Sequence, residues 1–403
     1  MTADTGAASR ARVLRQALAL SLGAAVSLGL ARFSYALLLG PMRADLGWSY
    51  FTAGAMNTGN AAGYLLGALV MPRLMAKVGP KAALVGGGLA TALLLMLHGM
   101  VTDNGALMAL RLASGAASAA TFVAGGLLAA RLGGQAVAAA PGQGLSAGLV
   151  LGLYYGGTGL GIIVSAFLVP AFDRVGAAHG WQPAWQALGA VALGLTVLMA
   201  LGTARDAPVA GTAATQAPVP WRALGWALAG YAMFGLGYIG YMTFIVTLLR
   251  EQQLGSTAIT AFYVTLGLGV VASSWLWAGL LQRWRGGQVL ALLNGLLALA
   301  TVLPVLSPHP LAVFGSGALF GAVFLSVVAS TTALVRHNLP VAAWPRGIAA
   351  FTILFALGQI AGPSLVGLIA DGPGGLARGL ALSAAMLALG AVLALAQRPL
   401  RRS

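Results

Sequence analysis

Two arginines, Arg32 and Arg111, stand inside long apolar runs of this 403-residue chain. A charged side chain at membrane depth is costly, so such a residue marks a candidate functional site. A guanidinium binds carboxylate or phosphate through two parallel hydrogen bonds. The sequence therefore predicts a binding site for an anion, because the acidic residues that could neutralise the arginines all fall in tails or loops. Those seven residues are Asp4, Asp45, Asp103, Asp173, Asp206, Glu251 and Asp371.

The composition indicates the class of protein that must position these arginines. Hydrophobic residues make up 59% of the chain and charged residues only 7%, far from the balance of a soluble domain. A bilayer core about 30 Å thick needs roughly 20 apolar residues per helix, and apolar runs of that length must be helical. The sequence predicts an all-α polytopic membrane protein with twelve transmembrane helices, approximately 17–40, 52–71, 82–102, 105–130, 145–171, 184–203, 223–249, 257–281, 289–306, 310–335, 347–370 and 376–396.

Basic residues are distributed unevenly between the two sets of loops. If the N-terminus is cytoplasmic, sixteen Lys and Arg residues fall on that side and four on the other, namely Arg43, Arg174, Arg250 and Arg378. Because Lys and Arg accumulate in cytoplasmic loops, we expect a multi-pass protein of the inner (plasma) membrane with both termini cytoplasmic. This asymmetry and anionic lipid headgroups account for the net charge of +15, so we expect no nucleic-acid partner.

Several classes of chemistry are disfavoured by what the sequence lacks. Cysteine is absent, which excludes disulfides and thiolate metal ligands. No G-x-x-x-x-G-K-S/T loop occurs, which argues against a nucleotide-driven pump in this chain. A membrane enzyme generally needs acidic or metal-binding groups at its site, and the predicted spans offer neither. We therefore expect no catalytic residues, no metal site and no cofactor.

The chain divides once, at a Pro-, Ala- and Thr-rich stretch, residues 204–221, which is typical of a flexible linker. Six predicted helices lie on each side, in residues 1–203 and 222–403. The two halves resemble each other, since residues 29–35 (GLARFSY) align with residues 235–241 (GLGYIGY) at an offset of 206. The sequence thus predicts two pseudo-symmetric halves of six helices.

Several segments resemble a known superfamily of transporters. Residues 111–119 (RLASGAASA) are similar to the R-x-x-x-G-x-x-x-x motif in helix 4 of the major facilitator superfamily, in which the arginine borders the central cavity. The resemblance implies two six-helix halves, a substrate site near the bilayer midplane between them, and secondary transport by alternating access. Four further segments resemble the YbfB-like branch of this superfamily: 29–41 (GLARFSYALLLGP), 60–68 (NAAGYLLGA), 153–163 (LYYGGTGLGII) and 234–244 (FGLGYIGYMTF).

The loop between predicted helices 2 and 3 departs from the superfamily's pattern. That pattern is of the type G-x-x-x-D-R-x-G-R-K, and its aspartate helps to latch the cytoplasmic gate. Here Ala76 stands at the aspartate position. Because the acidic latch is missing, we expect gating to rest on contacts of Lys and Arg with backbone carbonyls or helix ends. The candidate gating residues in this loop and its second-half counterpart are Lys77, Gly79, Lys81, Arg283 and Arg285.

Glycines recur every four residues in predicted helix 5. Gly144, Gly148, Gly152 and Gly156 lie on nearly one helix face, where small residues let helix backbones approach closely. The segment resembles the glycine-rich helix 5 motif of antiporters, although Gly157 stands where that motif often has proline. We expect close packing against a neighbouring helix, and a role in export direction is the alternative.

The two arginines are predicted to lie at similar depths, roughly 12 Å for Arg32 and roughly 9 Å for Arg111 from the outer helix ends, given a rise of 1.5 Å per residue. Each has a second interpretation, because Arg111 could bond helix-end carbonyls and Arg32 could reach the interface or a backbone group. We expect His98 at the lipid interface. Polar side chains that could complete a substrate site are Tyr35, Asn57, Asn60, Tyr154, Tyr238, Tyr241, Thr243 and Gln359.

The sequence as a whole predicts a secondary transporter for a small solute, for which we expect an organic anion. We expect it to work in the lipid bilayer as a monomer. Efflux of neutral or hydrophobic compounds is the alternative substrate class. A non-transporting membrane sensor on a transporter scaffold is the alternative from another functional class.

Overall fold

The structure is a computed structural model that describes residues 2–139, 146–174, 176–203 and 217–400. Helices make up its regular structure, and no strand occurs among these residues. Twelve helices are long and apolar enough to cross a membrane, which confirms the prediction of a twelve-span all-α protein. In chain order they are α1 Arg10–Leu46, α2 Tyr50–Val78, α3 Pro80–His98, α4 Asn104–Ala138, α5 Ala147–Phe172, α6 Gln182–Gly202, α7 Trp221–Glu251, α8 Ser256–Arg283, α9 Gln288–Leu306, α10 Pro310–Asn338, α11 Val341–Ala370 and α12 Gly375–Leu395.

Helix α1 changes its winding in the middle. It is α-helical up to Ala24, π-helical over Ala25–Phe33, and α-helical again over Tyr35–Leu46. The backbone N–H of Ser34 accordingly donates to the carbonyl of Gly29, five residues back, at 3.1 Å. Every residue of the π-helical segment is buried. Short π-helical segments are frequent at functional sites, and this one contains Arg32.

By their contacts, the described residues form two compact units. One unit takes residues within Met1–Ser34 and Ala62–Ala210, and the other takes residues within Tyr35–Ala61 and Gly211–Ser403. The end of α1 and the start of α2 therefore belong with helices α7 to α12. The division of the chain into halves 1–203 and 222–403 remains a prediction, and residues 204–216 of the predicted linker lie outside the described residues.

Glycines explain why the start of α2 packs within the second unit. A Cβ on Gly54 would overlap the carbonyl of Pro363 in α11, and a Cβ on Gly367 would overlap the carbonyl of Tyr50. Two backbones can come this close only where a side chain is missing. The sequence repeat gave no indication of this contact, because the two glycines lie more than 300 residues apart.

In the first unit, glycines bring α5 against α1. A Cβ on Gly161 would lie 2.8 Å from the Cα of Gly29, and a Cβ on Gly157 would overlap the carbonyl of Ser21. Helix α5 therefore supports the backbone of α1 at the π-helical segment. The same close approach packs the segment of α1 that contains Arg32 tightly against α5.

The predicted glycine face of α5 is used only in part. Gly152 and Gly156 are buried, whereas Gly148 is exposed and a Cβ there would meet only the Ser146 hydroxyl, at 3.7 Å. Close packing at Gly148 is therefore wrong, because this residue lies in the first turn of α5, ahead of the contact with α1. Gly144 lies outside the described residues.

Candidate functional site

Arg32 is held inside the first unit by the unusual winding of α1. Its side chain is only 4% exposed, and its guanidinium carbon lies 5.6 Å from the centroid of the Tyr64 ring of α2. A guanidinium over an aromatic face is attracted by the ring's quadrupole. The ring therefore helps to orient the guanidinium. Arg32 is thus a fixed positive charge at membrane depth.

Arg111 reaches the same turn of α1 from α4. Its Nη1 donates to the carbonyl of Ala31 at 3.3 Å, and its guanidinium carbon lies 5.9 Å from the Trp185 ring of α6. Arg111 therefore bonds the backbone carbonyl of the residue directly before Arg32 in α1. Arg111 thus bonds a backbone carbonyl, as its second interpretation predicts, but this carbonyl lies in the π-helical segment and not at a helix end.

His98 lies in the core of the first unit rather than at its surface. The residue is fully buried, and its ring stacks on Trp185 with 4.6 Å between the centroids. Its Nδ1 lies 2.7 Å from the carbonyl oxygen of Leu94. The expected position at the lipid interface is wrong, because the stack on Trp185 draws the ring inward. His98 supports the same tryptophan that Arg111 contacts.

An aromatic chain links Tyr154 to the surroundings of Arg32. The Tyr64 ring lies 6.4 Å from Phe122, and Phe122 lies 5.6 Å from Tyr154. The Tyr154 hydroxyl donates to the carbonyl of Phe122 at 2.6 Å, and the residue belongs to the buried apolar core. Tyr154 therefore does not contact Arg32 through this chain of rings, but supports Tyr64 through Phe122.

The remaining predicted binding residues lie in the second unit, where most of them pair with one another or with backbone. Asn57 Nδ2 donates to Thr243 Oγ1 at 2.7 Å. The Tyr238 hydroxyl donates to Gln359 Oε1 at 2.8 Å. These four side chains are at most 3% exposed, so in this conformation the pairs hold helices together.

Two further tyrosines of this set also have partners. The Tyr35 hydroxyl donates to the carbonyl of Ala53 at 2.9 Å, and the Tyr241 hydroxyl lies 2.7 Å from Ser316 Oγ. Asn60 is fully buried in α2. The sequence does not predict these pairs, because Ala53 lies 18 residues from Tyr35 and Ser316 lies 75 residues from Tyr241 along the chain.

Sequence reasoning missed an aromatic face on α7. Tyr231, Phe234 and Tyr238 stack against Phe355 of α11, with centroid distances of 5.2 to 5.4 Å. Tyr238 also lies 6.1 Å from Phe324 of α10. The available signal was the spacing of the aromatic residues on α7, which places them on one helix face.

The predicted gating residues differ in their surroundings. Lys81 Nζ donates to the carbonyl of Thr203, at the end of α6, at 2.7 Å. Gly79 adopts φ of 83°, a left-handed conformation that favours glycine, and stands before Pro80 at the start of α3. Lys77, Arg283 and Arg285 are exposed. Lys81 thus makes the type of helix-end contact expected for this loop.

No group of three or more His, Asp or Glu side chains that could hold a metal ion occurs in the part of the chain that the structure describes.

Comparison with known proteins identifies the family. A family model described as "Uncharacterised MFS-type transporter YbfB" matches residues 24–395. No curated protein matches the sequence. The fold is similar to the crystal structure of the nucleoside transporter NupG, with a TM-score of 0.69 and 14% identity over 96% of this chain and 98% of that chain.

A second solved structure has the same fold. It is a bacterial homologue of the human lysosomal transporter Spinster, in an inward-facing and occupied conformation. Its TM-score is 0.68 at 12% identity, over 95% of each chain. Identities this low support the fold alone, whereas the family model covers most of the sequence. The chain therefore belongs to the YbfB family of major facilitator superfamily transporters, and it is a multi-pass membrane protein and a secondary transporter, not an enzyme.

Proposed function

We propose that this transporter moves a small organic anion across the bacterial inner membrane by alternating access. The observation that carries the proposal is Arg32, a buried guanidinium in the π-helical segment of α1. The acidic residues that the structure describes lie outside the spans or within two residues of a span's end. The charge fixed at membrane depth is therefore positive, and an anionic cargo would complement it.

The cost of keeping Arg32 buried supports this proposal. Removing a guanidinium from water costs several kcal/mol, so a charged side chain at this depth marks a candidate functional site. The Tyr64 ring offers roughly 0.5–2 kcal/mol as a cation–π partner. A carboxylate or phosphate of the cargo would offer a charge-assisted hydrogen bond in addition.

The direction of insertion follows from the distribution of basic residues. Both termini would be cytoplasmic, because sixteen Lys and Arg residues fall on that side of the twelve spans and four on the other. Lys81, at the start of α3, would then bond the end of α6 on the cytoplasmic side.

The experiment measures ligand binding by thermal stabilisation of the purified protein against a library of mono- and dicarboxylates, phosphate esters and nucleosides. A ligand that prefers the folded state raises apparent stability by mass action. Arg32→Ala should weaken binding of the anionic ligand more than tenfold, because a hydrogen bond to a charged group contributes ~1.5–3 kcal/mol. Arg174→Ala is the matched control, since it removes an exposed arginine and should leave binding unchanged.

A cationic ligand, or unchanged anion binding in a well-folded Arg32→Ala protein, would refute the proposal. The aromatic face of α7 favours a second candidate, a flat neutral or hydrophobic cargo. Nucleosides represent that class in the library, since NupG is a nucleoside transporter. Stabilisation by nucleosides but not by anions, independent of Arg32, would select it. Flux of the ligand into proteoliposomes distinguishes both transport functions from a non-transporting sensor.

A further inference from the structure

The amino end of α2 is capped by a residue from a distant part of the chain. Asp371 directly follows α11, and its two carboxylate oxygens accept hydrogen bonds from the backbone N–H groups of Tyr50, at 2.7 Å, and Phe51, at 2.9 Å. The first N–H groups of a helix have no carbonyl partner within it, and this end of a helix attracts negative charge. Asp371 therefore fastens α2 to α11.

The side chain of Tyr50 fastens the same end to α7. Its hydroxyl donates to a carboxylate oxygen of Glu251, the last residue of α7. The guanidinium carbon of Arg43, near the end of α1, lies 3.7 Å from the centroid of the Tyr50 ring. The edge of that ring meets Phe244 of α7, with 6.3 Å between centroids. Two carboxylates thus hold one helix end from two sides.

Deeper contacts continue between α2 and the same two helices. Thr58 Oγ1 donates to the carbonyl of Ile360 in α11 at 2.6 Å, and Asn57 Nδ2 donates to Thr243 in α7. Gly54 lets the backbones of α2 and α11 touch between these levels. The contacts at the end are exposed, whereas those below are partly or fully buried.

We propose that Asp371, Glu251 and Tyr50 form a carboxylate latch that closes this end of the protein during the transport cycle. The inference rests on the proposed alternating access. Hydrogen bonds at an exposed helix end can be exchanged for bonds to water, so the latch is releasable. Its release would let α2 separate from α7 and α11.

The latch lies on the side opposite to a loop in which the superfamily's acidic residue is missing from this chain. The superfamily's acidic latch belongs to the loop after helix 2, where this chain has Ala76. Because each span crosses the membrane once, the helix ends at Tyr50, Glu251 and Asp371 lie on the opposite side from that loop. This chain has its latching carboxylates at the end of the bundle away from the termini.

A single cysteine can report the opening of this contact, because the chain has no cysteine of its own. Ser364→Cys is the reporter, since Ser364 Oγ lies 2.8 Å from Thr58 Oγ1 between α2 and α11. A thiol reacts with maleimide as the thiolate, which requires access to water. The labelling rate in nanodiscs without cargo therefore measures how often the contact opens.

Asp371→Ala in this background should raise the labelling rate about fivefold, which corresponds to the ~1 kcal/mol that a helix cap typically contributes. Tyr50→Phe, which keeps the ring and loses the hydroxyl, should also raise it. Asp103→Ala is the matched control. Asp103 caps its own helix by accepting from the Ala106 N–H at 2.8 Å, so its loss should leave labelling unchanged.

Unchanged labelling in both Asp371→Ala and Tyr50→Phe would overturn the latch. An equal rise in Asp103→Ala would do so as well, since it would indicate general loosening. Asp371→Glu restores a carboxylate and should bring the rate back toward that of the reporter alone. The measurement uses no cargo, so its failure is distinct from a failure of anion binding at Arg32.

Discussion

Arg32 and Arg111 meet the same turn of α1 in different ways. Arg111 comes from α4 and donates to the carbonyl of Ala31, while Arg32 projects from α1 itself against the Tyr64 ring. The contact of Arg111 fixes a backbone group, and that of Arg32 fixes a charge. Arg111 therefore supports the π-helical segment, and we propose Arg32 as the residue that contacts the cargo.

Arg111→Ala should lower the apparent melting temperature of the purified protein more than Arg32→Ala does. The loss leaves the buried Ala31 carbonyl without this donor, which costs roughly 1–3 kcal/mol. It also removes a packing partner of Trp185. Thermal unfolding of both variants in the same detergent checks this order. A larger loss of stability in Arg32→Ala would show that Arg32, rather than Arg111, holds α1 in place.

At the residue scale, the sequence predicts which side chains are polar within the spans but not which of them pair. Both arginines are evident as charges in apolar runs. The pairing of Asn57 with Thr243 joins residues 186 positions apart, and that of Tyr238 with Gln359 joins residues 121 positions apart. Residues so far apart along the chain are brought together only by tertiary packing. The sequence alone therefore could not distinguish residues that bind substrate from residues that pair between helices.

At the scale of elements, hydropathy and length are sufficient to predict the twelve helices, because a membrane allows no other solution for long apolar runs. The π-helical segment of α1 could not be predicted in this way. A π-helix and an α-helix can have the same apolar composition, so the sequence does not show where the backbone hydrogen bonds change their spacing from four residues to five. In the structure, the π-helical segment packs against Gly161 of α5.

Gly161→Ala and Gly148→Ala make the same change in α5, at a buried and an exposed position respectively. A Cβ on Gly161 would lie 2.8 Å from the Cα of Gly29, so the backbones must separate. Overpacking of this kind typically costs ~1–3 kcal/mol. Gly148 is exposed, and a Cβ there would make only an ordinary contact with the Ser146 hydroxyl, so its substitution should be neutral or slightly stabilising.

Melting temperatures of the two alanine variants test the role of α5. Gly161→Ala should also weaken the binding of an anionic cargo, because α5 supports the segment of α1 that contains Arg32. Equal stability of the two variants would contradict close packing between α5 and the π-helical segment.

At the scale of the whole molecule, the distribution of charge restricts the mode of energy coupling. Proton-driven transporters commonly bind the proton on a buried Asp or Glu. Here Asp45 and Asp103 are exposed near helix ends, and Glu251 and Asp371 bond the end of α2. Among the residues that the structure describes, no acidic side chain occurs in the interior of a span, so a carboxylate relay through these spans has no carrier.

A pH gradient alone should therefore fail to accumulate a cargo that cannot itself bind a proton. The measurement uses proteoliposomes with the membrane potential clamped at zero and compares a carboxylate cargo with its sulfonate analogue, which stays ionised across the accessible pH range. The carboxylate can enter a site beside Arg32 as the neutral acid and leave as the anion, so a gradient can drive it. The sulfonate should only equilibrate, and Asp45→Asn and Asp103→Asn should behave like the wild type, with protein-free vesicles correcting for leakage. Strong uphill accumulation of the sulfonate, lost in Asp45→Asn, would show instead that a carboxylate at a helix end carries the proton through the transport path.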